Sequence, residues 1–117
     1  MVTGILLSGD LMFISKVKEV AAASSTQIKV ARSLEALERA ITESATPGVL
    51  MIDLEKCGAP KDALQEPAAR LIAQGWRVVS FFSHVHEEVA EEALGLGLGE
   101  VMPRSKFVRV LPELFAR

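Results

Sequence analysis

Pro47-Gly48-Val49-Leu50-Met51-Ile52-Asp53-Leu54 is the stretch on which the fold turns. Pro-Gly stops whatever helix precedes it. The apolar run that follows is too short for a helix of ordinary length and reads as a buried strand, Val49–Asp53, ending on a carboxylate. Working back from it, Ser33 is placed to cap a helix with Leu34, Leu37 and Ile41 at helical spacing. Before that, Gln27–Ala31 alternates polar and apolar residues, with Ile28 and Val30 on one face, as a half-exposed edge strand does. Asp10 is placed to cap a helix with Phe13, Val17, Val20 and Ala21 inward. Thr3–Leu7 is a further buried strand, closed by the turn Ser8-Gly9.

Working forward, Glu55–Glu66 is irregular and carries Gly58 and Pro60. Pro67 fits the first turn of a helix running to about Gln74. Gly75 ends that helix and Arg77–Phe82 is the fourth strand. Glu87–Leu96 reads as a helix through Val89, Ala90, Ala93 and Leu96. Gly97 and Gly99 break it before a short strand, Glu100–Met102. Ser105 is placed to cap a last helix with Phe107, Val108, Leu111, Leu114 and Phe115 inward, kinked at Pro112. Strands separated by helix-length crossovers give a parallel sheet covered on both faces. Right-handed crossovers and five strands predict a doubly wound, flavodoxin-like α/β fold of strand order 2-1-3-4-5, with ligands bound at the carboxyl ends of the strands.

The bulk composition agrees. The chain has 117 residues, half of them hydrophobic and about a quarter charged, which suits one domain over 1–117 with a real core. Its apolar runs fall far short of the roughly 20 residues of a membrane span, and the N-terminus has no basic, apolar leader. The single Cys57 excludes an internal disulfide and suits a reducing cytoplasm. A formal charge of −2 argues against a nucleic-acid binder. The basic set Arg104, Lys106, Arg109 and Arg117 reads as a solvated helix face.

This topology gathers residues distant in sequence at one edge: Ser8, Gly9 and Asp10 after the first strand, Asp53 after the third, Ser83 and His84 after the fourth, Pro103, Arg104 and Ser105 after the fifth. A carboxylate, a hydroxyl and a cation there form a candidate phosphoryl-handling site. Two other patterns carry less. His84 and His86, with Cys57 in reach, make too sparse a set for a metal, since no fourth ligand presents itself. The glycines at 95, 97 and 99 follow a helix rather than lying between a strand and a helix start, so the dinucleotide fingerprint fails.

Val49–Leu54 resembles the third strand of a response-regulator receiver domain, which ends in the phosphoacceptor aspartate. Val79-Ser80-Phe81-Phe82-Ser83 is similar to its fourth strand, which ends in a switch hydroxyl. Ala93 to Arg104 is similar to its Ala-x-x-x-Gly-Ala-x-x-Tyr-x-x-Lys region. The resemblance covers the whole chain, element by element. It implies that Asp53 is the phosphoacceptor, attacking phosphorus in line beside Mg²⁺. It further implies that Ser83 is the hydroxyl that turns toward a bound phosphoryl group, and that Arg104 replaces the lysine that pairs with a phosphoryl oxygen.

Three of the family's landmarks are altered. Two adjacent acids normally hold Mg²⁺ after the first strand, where this chain has Ser8-Gly9, with Asp10 displaced by about one position. Asp10 and Asp53 would make at most a weak Mg²⁺ site. Arginine is not a conservative replacement for lysine. The switch aromatic of the fifth strand is Val101. The resemblance therefore implies a stand-alone pseudo-receiver, not an enzyme and without an output domain, that signals through protein–protein contact. The implied partner face comprises Val101, Arg104, Lys106, Val108 and Arg109; it would meet a histidine kinase, a downstream signalling protein or a second copy, and neither nucleic acid nor membrane. The alternatives are a working single-domain regulator phosphorylated at Asp53, and a small flavodoxin-like enzyme or nucleotide-binding protein.

Overall fold

The computed structural model describes residues 3–44, 47–83 and 87–116. Strands and helices alternate: β1 (Thr3–Leu7), α1 (Leu11–Ala23), β2 (Gln27–Ala31), α2 (Leu34–Thr42), β3 (Val49–Asp53), a 3₁₀ turn (Lys61–Leu64), α3 (Gln65–Ala73), β4 (Arg77–Phe82), α4 (Glu87–Gly95), β5 (Glu100–Pro103) and α5 (Arg104–Phe115). The strands are parallel and lie in the order β2-β1-β3-β4-β5, the doubly wound arrangement that the sequence predicts. β3 is central and buried at every residue, as its unbroken apolar run requires. β2 is an edge strand, and its alternation leaves Ile28 and Val30 half-buried.

Side chains alternate between the two faces of the sheet, so each strand feeds two cores. Ile5, Leu7, Leu50, Ile52 and Val78 pack with Leu37 of α2, Leu71 of α3 and Ala93 of α4. Leu6, Val49, Met51, Val79 and Phe81 pack with Phe13 and Val17 of α1 and with Phe107 and Leu111 of α5. By the same alternation Ser8 continues Leu6, and Asp53 continues Val49 and Met51, toward the α1/α5 side. The register Leu7↔Ile52 and Asp53↔Phe81 then brings β1, β3 and β4 to a common carboxyl edge.

Asp10 and Ser33 cap α1 and α2, as predicted: each side chain accepts the backbone N–H three residues on, at 3.1 Å. Pro67 lies in the first turn of α3, where its missing N–H costs no helical bond. Ser105 is a correction. α5 starts at Arg104, two residues earlier than a Ser105 cap implies, and Pro103 is the extended residue that flanks it, with φ −62° and ψ 152°. Ser105 is already helical, and a helical residue cannot adopt the backbone that a capping side chain needs. Pro112 lies inside α5 and is exposed. His84, His86 and Arg117 lie outside the described residues.

Candidate functional site

The site sits where β1, β3, β4 and β5 end. Its centre is Asp53, which has no solvent exposure. Oδ1 accepts the backbone N–H groups of Glu55 at 3.1 Å and Lys56 at 3.2 Å, supplied by the tight turn that leaves β3. Oδ2 accepts the hydroxyl of Ser8 at 2.8 Å and a guanidinium nitrogen of Arg104 at 3.4 Å. A carboxylate offers about four acceptor positions, and this one has four donors from its own chain.

The surrounding loops hold those donors in place. Ser8 is also fully buried, and its Oγ accepts the N–H of Asp10 at 3.1 Å. The Gly9 N–H donates to the Lys56 carbonyl at 2.8 Å, which ties the loop after β1 to the loop after β3. Gly58 anchors the latter loop: its φ is +73°, and a Cβ there would lie 2.0 Å from the Arg32 carbonyl oxygen, a position only glycine can fill.

Arg104 bridges two carboxylates. One terminal nitrogen lies 3.3 Å from Asp10 Oδ2 and the other 3.4 Å from Asp53 Oδ2. Its guanidinium lies over the Phe13 ring, 4.2 Å from the centroid, a cation–π contact. Phe13 in turn packs on Phe81 and Phe107, with centroids 5.1 and 5.9 Å away. Nε of Arg104 is buried without a hydrogen-bond partner. Asp10 is held below the usual carboxylate range, first by the Phe13 N–H that it accepts and then by Arg104 and Lys56, with burial opposing them.

Ser83 is exposed, and both its N–H and its hydroxyl donate to one oxygen of Glu55. The hydroxyl is thus engaged by a carboxylate two residues past Asp53. Of the residues expected at the site, Arg104 contacts both Asp10 and Asp53, whereas Ser83 is tied to Glu55. Val101 and Val108 are half-buried and pack into opposite cores, Val101 on the α2/α3/α4 side and Val108 on the α1/α5 side. Lys106 and Arg109 are exposed. Cys57 is buried as a free thiol, and its Sγ donates to the Ala59 carbonyl.

Two contributors escaped the sequence reading, and a third was placed at the edge without its role. Ser8, which counts there as a lost acid, is a direct partner of Asp53. Glu55 lies in the irregular stretch and pairs with Ser83. Phe13 reads only as a core position, yet it carries the guanidinium. The edge location was the available signal for Ser8; Glu55 and Phe13 gave none beyond their helix or loop setting.

The donor set does not fit Mg²⁺. A hard divalent ion needs carboxylate oxygens with free lone pairs, and here a guanidinium stands between the two carboxylates while Asp53 is fully engaged. Among the described residues, no group of three or more His, Cys, Asp or Glu side chains converges.

No family model matches the sequence, and no curated protein sequence matches it. Solved structures do. The signal receiver domain of a DNA-binding response regulator (merR) from Colwellia psychrerythraea 34H superposes with a TM-score of 0.76, at 13% identity, over 97% of this chain and 98% of that one. The phosphorylated cyanobacterial phytochrome response regulator RcpA gives 0.75 at 13% identity, over 95% and 89% of the two chains. A two-component response regulator from Clostridium difficile gives 0.72 at 14% identity, over 87% and 81%. At such low identity the likeness speaks for architecture, and it extends over most of both chains in each case: the chain has the fold of a response-regulator receiver domain.

Proposed function

We propose that the chain is a receiver-like signal-transduction module that acts through protein–protein contact, with phosphorylation at Asp53 weakened or lost. One observation carries the reading: both oxygens of the buried Asp53 are engaged by internal donors. An attacking carboxylate must present a lone pair to phosphorus, and freeing one here means breaking a charge-assisted bond in a dry site.

The partner face in this reading comprises Val101, Arg104, Lys106, Val108 and Arg109. Lys106 and Arg109 are its solvent-facing cations, suited to an acidic rim on a kinase, a downstream protein or a second copy. In this reading the module works in a reducing cytoplasm, which suits a free thiol such as Cys57. No described helix is long and apolar enough to cross a membrane.

The experiment is an amide NMR comparison in Mg²⁺ before and after adding beryllofluoride, an analogue of an aspartyl phosphate. The expected result is an unchanged spectrum. Shifts centred on Asp53, Ser83 and Arg104 that vanish in Asp53→Ala would replace the reading with that of a phosphorylatable single-domain regulator.

A further inference from the structure

Asp53 is a carboxylate removed from water, and a buried anion without a counter-charge is strongly disfavoured. Its cation is Arg104, which meets it more loosely than Arg70 meets its own partners. Arg70 grips its partner: one nitrogen reaches both oxygens of Glu38 at 2.7 and 2.8 Å, and Nε reaches Glu66 at 3.0 Å. Arg104 grips nothing so tightly. It gives one nitrogen to each of two carboxylates at 3.3 and 3.4 Å and leaves Nε unpartnered. Both arginines serve two carboxylates, but Arg104 does so through long single contacts, the geometry of a loosely held charge rather than of a forked, directional pair.

Arg104 is the first residue of α5, where the helix dipole disfavours a cation. Two carboxylates and the face of Phe13 hold it there regardless. We infer that Arg104 is the resident cation of this pocket, a tethered charge seated between Asp10 and Asp53 where a small free cation would otherwise sit. Shortening or neutralising that side chain converts the two carboxylates into a site for a hard divalent cation. The inference rests on the reading above and deepens it, because it names the group that closes the pocket.

The test uses the whole chain as wild type, Arg104→Ala and Arg104→Met, with MgCl₂ as the probe and NaCl of matched ionic strength as the control. Thermal melts and amide NMR are recorded for each. Wild-type Tm and the amides of Asp10 and Asp53 are expected to ignore millimolar Mg²⁺. Arg104→Ala is expected to melt lower and to recover roughly 5 °C on Mg²⁺ binding, with shifts confined to those amides. Arg104→Met keeps an apolar stem over Phe13 without the charge, and answers the same question should the alanine variant fail to fold. The inference is overturned if the wild type shows the Mg²⁺-specific shifts, or if neither variant gains a Mg²⁺ response. That second outcome leaves the beryllofluoride result for the wild type standing, so the two readings fail separately.

Discussion

The two ends of the sheet carry the same kind of interaction under opposite conditions. At the amino end Arg77 meets Glu100 across the β4–β5 pair, at 2.7 and 3.1 Å, with each side chain about half exposed. At the carboxyl end Arg104 meets Asp53 at 3.4 Å, and Asp53 is wholly buried. By distance the first pair is the better bond. By consequence it is the lesser one, because water and salt replace it readily. A buried carboxylate has no such substitute, so its looser contact matters more. Distance and burial therefore rank these pairs in opposite orders.

Four substitutions test that ranking. Arg104→Ala leaves Asp53 buried without its cation and is expected to cost about 3 kcal/mol of unfolding free energy in urea titrations. A cost under about 1 kcal/mol, typical of surface pairs, would erase the contrast. Ser8→Ala removes a hydrogen bond to the same carboxylate and is expected to cost about 2 kcal/mol by the same measurement. Asp10→Asn retains a competent helix cap but drops the charge facing Arg104, for an expected cost of about 1 kcal/mol at neutral pH.

The Asp10 variant also has a pH signature. The carboxyl of Asp10 is depressed in the folded state, so its stabilisation is complete above the unfolded carboxylate value near 3.8 and is lost as pH falls through the lower folded value. The gap between wild type and Asp10→Asn should therefore close in acid; a gap that persists there would assign the effect to the cap. Arg77→Ala is expected to cost at most about 0.5 kcal/mol, and less in high salt. Glu100 is held below its usual value chiefly by Arg77, so its titration should move up in that variant, and NMR can follow it even where stability barely changes.

The fold was legible because it is written in local terms. Breakers at Pro47-Gly48, Gly75 and Gly97, the apolar run of β3 and the caps Asp10 and Ser33 each declare themselves within a few residues. The exception, Ser105, failed for a local reason as well: Pro103 is extended and the helical backbone begins at the very next residue. The candidate site was legible as a list and not as an arrangement. Asp10 reads as a cap, and it is one, but its other oxygen meets a residue 94 positions away. Glu55 and Ser83 are 28 positions apart. Nothing in local spacing encodes which long side chain spans such a gap; that depends on how α1, α5 and the loop after β3 are set on the sheet.

Alternation along β3 has one more consequence. Val49 and Met51 face one layer of helices and Leu50 and Ile52 the other, so Asp53 reaches its partners only in one register. Inserting or deleting a single residue between Gly48 and Asp53 would turn the carboxylate toward the wrong layer, together with every residue between the change and Asp53. The irregular stretch just beyond, from Lys56 to Pro60, is under no such parity. The length of this strand is therefore set by the core, and the site inherits that constraint from packing rather than from any chemistry of its own.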